Sequence, residues 1–339
     1  MNLVLLERLT SCLSVSGDEN AVREFIKSQL PSECETKTDN MGNLIVFRKG
    51  RNTPKNKVML CAHTDEVGFI VTAITDEGYL KFTSVGGIVP SAVFGRRVIF
   101  ANGTIGVIAA KAVHMVKGDE KDKQPPLDDL TIDIGVTSKD EAEKLVSLGD
   151  NCYFENDFFL FGNNRLHAKA LDDRIGCMVM LEMLKNEPEY DLNCVFTVQE
   201  EVGTRGAGCA TYTVNPDFAI VLESTTACDI SGSDDENKVC CLGEGAVVSF
   251  MDRSTIYDKE LYRMAFDTAK KIGVKCQIKT KVAGGNDSGA IHKAMGGIRT
   301  TAISVPTRYL HTASCVVDLE DVKATEKLAA AMYNKLCQL

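Results

Sequence analysis

Residues 172–201, "DDRIGCMVMLEMLKNEPEYDLNCVFTVQEE", place a helical pattern and an extended one in succession. "DDRIGCMVMLEMLKN" reads as a helix and "LNCVFTVQ" as a strand. The pattern repeats downstream. "FAIVLE" is a strand, and "KELYRMAFDTAKKIG" is a helix ending at Gly273. "VKCQIKT" and "RTTAISVP" are strands, and a terminal helix over "DLEDVKATEKLAAAMYNKL" takes Asp318 as its N-cap. Alternation of this kind specifies an α/β fold with a mixed, mainly parallel sheet covered by helices.

Upstream, "SGDENAVREFIKSQL" reads as an amphipathic helix opened by a capping box of Ser16 and Glu19. "NLIVFRKG" and "KVMLCA" read as strands. The apolar run Val58–Cys61 is a buried strand, and Val67, Phe69, Ile70 and Val71 resume it. Between 72 and 161 the texture changes to short alternating strands and turns. Asn102-Gly103 between apolar runs signals a hairpin, Ser138 and Glu141 cap a short helix, and "GDEKDKQPP" at 118–126 is a charged surface loop. The expected organisation is one α/β domain made of 1–71 and 162–339, interrupted by a small β-rich domain at 72–161.

The chain has 339 residues, 44% hydrophobic and 25% charged, with net charge −9. An acidic balance argues against nucleic-acid partners, and no uncharged run approaches the ~20 residues that span a bilayer. The start, "MNLVLLERLTSCLS", lacks the pattern of a signal peptide. The 13 cysteines are scattered with no C-x-x-C, which fits free thiols in a reducing cytoplasm.

Functional sites in α/β sheets form outside the carboxyl ends of strands. The residues just past each apolar run are therefore informative. His63 and Asp65 come after "VMLCA". Asp172 and Asp173 open the helix "DDRIGCMVMLEMLKN". Glu200 and Glu201 come after "CVFTVQ", Glu223 after "FAIVL", and His311 after "TAISVPTRYL". Taken singly, each has an ordinary reading: a core histidine, a helix cap, a solvated acidic pair. Together they put several carboxylates at one sheet edge with no counter-charge. Oxygen and imidazole donors suit zinc, cobalt or manganese. Asp172, Glu201 and Glu223 carry −3, two divalent ions +4 and a bridging hydroxide −1, so the sum closes at zero. Asp65 is placed to take the other imidazole N–H of His63. One glutamate of the 200/201 pair serves as ligand and the other as general base.

With these residues in view, the sequence resembles the M42 family of dinuclear-metal aminopeptidases. The resemblance rests on "CAHTDEVGFIV", "KALDDRIGC", "VQEEVGTRGA", "GGNDSGAIH" and "RYLHTASCVVDLED", spread along the chain in the family's order. It implies hydrolysis of N-terminal residues from peptides by a metal-bridging hydroxide with Glu200 as general base. Asp172 would bridge two divalent ions, zinc or cobalt before manganese, and its bond to Asp173 would be cis. His63 and Glu223 would complete one ion, Glu201 and His311 the other, with Asp65 behind His63. It also implies that the insertion is a β-barrel serving oligomerisation or substrate access, that the α/β domain is zinc-peptidase-like, and that copies assemble as a homo-oligomer, often a dodecamer. The loop carrying Gly285 and Asn286 would lie near substrate, and Arg205 would contact substrate or orient Glu200. Glu223 stands where the family often has Asp, Thr204 where Leu is common, and "GGNDSGA" where "GGTDAGA" is frequent. Two other enzyme readings compete: a metal-dependent deacylase of N-acyl amino acids, and an endoglucanase-type glycoside hydrolase. The latter needs only two carboxylates and leaves His63 and His311 unexplained.

Overall fold

A computed structural model describes residues 1–115 and 125–339. Most of the charged loop expected at 118–126 lies outside the described residues. Among the described residues, eleven strands form one sheet and six close a separate barrel. The sheet is parallel at its centre, where Leu192–Thr197, Val58–His63, Phe218–Thr226 and Arg299–Arg308 lie side by side. Antiparallel strands extend both margins: Leu44–Arg48 and Cys34–Thr38 on one side, Cys315–Asp318, Arg165–Ala168 and Phe159–Phe161 on the other. Ala246–Val248 and Cys276–Ile278 attach beside Arg299–Arg308.

The central strands are covered on both faces, which is why they read as unbroken apolar runs. Every residue of Val58–His63 is buried. Val58, Leu60 and Ala62 pack with helices Leu171–Lys185 and Leu319–Gln338, whereas Met59 and Cys61 pack with helix Arg205–Val214 and Ile291. This is the two-residue period of a strand between two layers. Asp318 caps the terminal helix through Glu320 N at 2.7 Å, and Gly273 ends helix Lys259–Ile272 with φ of 70°, as the sequence implies. Among the described residues no helix is long and apolar enough to cross a membrane.

The barrel consists of Gly68–Ile74, Leu80–Val85, Thr131–Asp133, Ile105–Ala109, Arg97–Phe100 and Asn151–Phe154, in that neighbour order. Its core is built on Phe69, whose ring meets Phe82 at 5.1 Å and Phe154 at 5.2 Å. Asn102-Gly103 turns the hairpin between Arg97–Phe100 and Ile105–Ala109, and Ser138 caps the helix Lys139–Ala142. Barrel strands thus run from 68 to 154. The apolar run resuming at Val67 leaves the large sheet and enters the barrel, four residues before the expected 72, and Phe159–Phe161 belongs to the large sheet. The capping box is also corrected. Helix Asn20–Gln29 has Glu19 as N-cap residue without a side-chain cap. Ser16 Oγ instead donates to Asp65 Oδ2 at 2.6 Å, and Glu19 accepts from Gly17 N at 2.7 Å and Gln199 N at 3.1 Å.

Candidate metal centre

The parallel strands deliver their side chains to one edge. His63 is the last residue of its strand, Glu223 lies near the end of Phe218–Thr226, and Glu200 and Glu201 follow Leu192–Thr197 by three and four residues. His311 follows Arg299–Arg308, and Asp172 sits at the start of helix Leu171–Lys185, joined to Asp173 by a cis peptide bond. Five non-glycine residues beside these positions, Ala170, Gln199, Thr204, Tyr309 and His311 itself, have positive φ between 52° and 60°. Backbone in that region is costly and is held by surrounding structure, a pattern that clusters at functional sites.

Two donor sets result, and they share Asp172. His63, Asp172 and Glu223 form one; Asp172, Glu201 and His311 form the other; within each, one ligand atom per residue lies within 4.8 Å of the others. His63 Nε2 stands 3.4 Å from Asp172 Oδ1 and 3.9 Å from Glu223 Oε2. His311 Nε2 stands 3.6 Å from Asp172 Oδ2 and 3.2 Å from Glu201 Oε2. Each Nδ1 faces a backbone carbonyl, Asp65 O at 3.0 Å for His63 and Gly87 O at 2.9 Å for His311. A carbonyl only accepts, so each Nδ1 carries a proton and each Nε2, the atom that would meet a metal once its own proton has left, is turned toward Asp172. Gly87 lies between two barrel strands, so the insertion orients a ligand of the large sheet.

Asp65 does something different from the role its spacing suggests. Its carboxylate reaches His63 Nδ1 only at 3.5 Å; its backbone carbonyl orients the ring. The carboxylate oxygens accept from Glu200 N at 3.0 Å and Glu201 N at 3.1 Å, besides Ser16. Asp65 therefore fixes the backbone that carries both glutamates.

The electrostatics are those of a buried acidic cluster. Burial drives the Glu223 and Glu200 carboxyls well above the usual range and Glu201 up to about 7. For Asp172 burial acts upward too, but the two imidazoles outweigh it and hold the carboxyl low. Burial pulls His311 down, yet Asp172 and Glu201 lift it to about 9. Asp172 Oδ1 is buried and has no hydrogen-bond partner. A carboxylate set between two imidazoles with one oxygen orphaned, in an all-oxygen and imidazole donor set, fits a divalent cation.

The remaining expected residues divide. Glu200, Glu201, Glu223 and Gly285 line a cleft of about 360 Å³. Arg205 does not; it is exposed at the first turn of its helix. Asn286 is buried and bonded to Tyr257 at 3.0 Å and to Ser288 N at 2.9 Å, so its side chain is not offered to the cleft. His167 stacks on Phe159, and His292 bonds Ser288 O, so both have structural partners. Sequence reasoning missed Ser16 and Gly87. Only Ser16 carried a local signal, and it pointed to a helix cap.

Known proteins resemble this chain along most of its length. Residues 42–328 match the family model of the M42 glutamyl aminopeptidases. An aminopeptidase of Acetivibrio thermocellus is 38% identical over 328 residues, 96% of either chain. The solved structure of aminopeptidase APDkam598 from Desulfurococcus kamchatkensis superposes with a TM-score of 0.92 at 32% identity, covering 98% of this chain and 94% of that one. TET1 peptidase of Pyrococcus horikoshii, which assembles into a tetrahedron or a large octahedral shell, gives 0.85 at 33% identity, covering 98% and 99%.

Proposed function

Because the chain belongs to the M42 glutamyl aminopeptidase family, we propose that it is a metal-dependent aminopeptidase that removes N-terminal residues from peptides with Glu200 as general base. One observation carries the reading: two donor sets sharing Asp172 stand beside a cleft that Glu200 lines. His63, Asp172 and Glu223 would hold one divalent ion, and Asp172, Glu201 and His311 the other; zinc, cobalt and manganese suit these donors. Such a pair, when bound, lowers the pKa of water and polarises a carbonyl.

The chain's own groups do the rest. The Asp65 and Gly87 carbonyls lock both rings with Nε2 inward, and the Asp65 carboxylate sets the backbone of 200 and 201. The Glu200 carboxylate takes the proton of the attacking water and passes it to the departing amine. Self-association into a homo-oligomer, the dodecamer of relatives, accords with the apolar side chains Phe159, Leu160 and Phe161 exposed on a margin strand. The barrel is the part we assign to assembly and access. All 13 cysteines are free, in keeping with a cytoplasmic setting.

The test compares leucine p-nitroanilide with its N-acetyl analogue, using protein stripped by a chelator and reloaded with each ion. Cleavage of the free amine that disappears on stripping and returns on reloading is expected. Release of acetate from the blocked substrate, with no p-nitroaniline from the free amine, would assign the site to a deacylase instead.

A further inference from the structure

Strand Leu192–Thr197 ends just before Val198, and the next four backbone N–H groups find partners outside the sheet. Each donates to a side-chain oxygen. Val198 N reaches Asn43 Oδ1 at 3.1 Å, Gln199 N reaches Glu19 Oε1 at 3.1 Å, Glu200 N reaches Asp65 Oδ1 at 3.0 Å and Glu201 N reaches Asp65 Oδ2 at 3.1 Å. Asn43, Glu19 and Asp65 are all buried. The carbonyls of Val198, Gln199 and Glu200 accept from Gly206, Arg205 and Thr204 N at 3.1, 3.1 and 2.8 Å. The Glu200 carboxylate lines the cleft, and among the described residues no group donates a hydrogen bond to it. Its aim is therefore set by its backbone.

Glu19 is the support that its own surroundings do not explain. It is the N-cap residue of helix Asn20–Gln29, a place where an acid ordinarily turns back to the amides of the first turn. Its side chain makes no such bond. It turns away and sets Oε1 between Gly17 N at 2.7 Å and Gln199 N at 3.1 Å, the latter 180 residues along the chain. Gln199 is held in the left-handed region with φ of 56°, a conformation that persists only where the surroundings fix it. Ser16 donates to the Asp65 carboxylate. Residues 16–19 thus reach the amides of 199, 200 and 201, the first directly and the other two through Asp65.

We propose that Glu19 is a positioning residue for the base: by holding the amide of Gln199 it keeps residue 199 left-handed and so aims the Glu200 carboxylate into the cleft. The inference rests on the aminopeptidase reading. Glu19 belongs to neither donor set and does not line the cleft, so it acts only through the backbone it grips. Without its oxygen the Gln199 N–H loses its partner and the left-handed turn loses its restraint. A misplacement of about 1 Å at a reacting group costs on the order of a hundredfold in rate. The loss falls on kcat, because the base acts in the chemical step and does not hold the substrate beforehand.

The experiment measures kcat, KM and bound zinc per folded chain, with leucine p-nitroanilide as substrate, for the zinc-loaded wild type, Glu19→Ala and Glu19→Gln. Alanine removes the oxygen, whereas glutamine keeps an accepting oxygen on a side chain of the same length. Glu19→Ala should lose kcat about tenfold to a hundredfold, with KM within about twofold of wild type and the zinc content unchanged. Glu19→Gln should recover most of the wild-type kcat. A folded Glu19→Ala with wild-type kcat overturns the proposal, and so does a Glu19→Gln as slow as Glu19→Ala. A fall in kcat that follows a loss of zinc moves the effect to the ligand Glu201 and overturns it as well. If Glu19→Ala does not fold, Glu19→Asp, which withdraws the carboxylate by one methylene, takes its place with the same expected loss. If neither folds, Glu19 serves the fold alone and the proposal fails. Wild type that cleaves no free-amine substrate, leucine p-nitroanilide included, overturns the aminopeptidase reading itself.

Discussion

Two clusters of buried charge stand back to back, divided at Asp65-Glu66. On one side Glu66 accepts both of its closest bonds from Lys169 Nζ, at 2.5 and 2.6 Å, with the Arg174 guanidinium 3.6 Å away. Arg174 is itself fully buried and donates to Leu9 O and to Ser14 Oγ. Two cations face one carboxylate, and the cluster ties the first helix, Leu3–Ser11, to helix Leu171–Lys185. On the other side Asp172, Glu201 and Glu223 surround two imidazoles with no lysine or arginine among them. Glu66, Lys169 and Arg174 are buried, and so are His63, Asp172 and Glu223, so burial of charge does not mark a site. The missing counter-charge does.

The sharpest way to break the contrast is to take one residue from each side. Glu200→Gln keeps the shape and removes the base, so kcat should fall about 10²–10⁴-fold with an unchanged denaturation midpoint. Activity equal to wild type would remove Glu200 from the mechanism. Lys169→Met should act the other way. It leaves Glu66 buried without its partner, and unfolding free energy should drop by about 3–5 kcal/mol, read from urea denaturation. A change under 1 kcal/mol would show that the balanced cluster is not what holds the first helix.

A smaller effect comes from protons that compete with metal. In the metal-free protein Glu201 is lifted to about 7 and His311 to about 9. Metal needs the carboxylate and the neutral ring, so both protons must leave. Below pH 7 two protons compete at this donor set, and between 7 and 9 one does. Apparent affinity should therefore rise with pH, by about tenfold per unit from 7 to 9 for one displaced proton, and level off above 9. Competition titrations against a chromogenic chelator check this. Affinity independent of pH over that range would mean that His311 is not a ligand.

The proposed ligands His63, Glu201, Glu223 and His311 stand out in the sequence because each follows an apolar run, where an acid or imidazole has few ordinary reasons to be, whereas Asp172 opens a helix and looks like a cap. The sheet's parallel centre was legible for the same reason, since only strands buried on both faces run unbroken. What stayed hidden depends on partners distant along the chain. Ser16 looks like a helix cap until Asp65 is brought beside it. The step from sheet to barrel at Gly68 leaves no mark, because Val67, Phe69 and Val71 are as apolar as the strand before them and differ only in which core they enter. Arg205 misled because a basic residue near a glutamate pair suggests contact, whereas the helix start turns it to solvent.

The sharing of Asp172 is the central claim, and counting bound ions tests it most directly. Wild type, stripped and equilibrated with zinc, cobalt or manganese, should hold two ions per chain by elemental analysis, and Asp172→Asn should lose tight binding of both while remaining folded. A variant that still holds its ions as tightly as wild type would contradict the account.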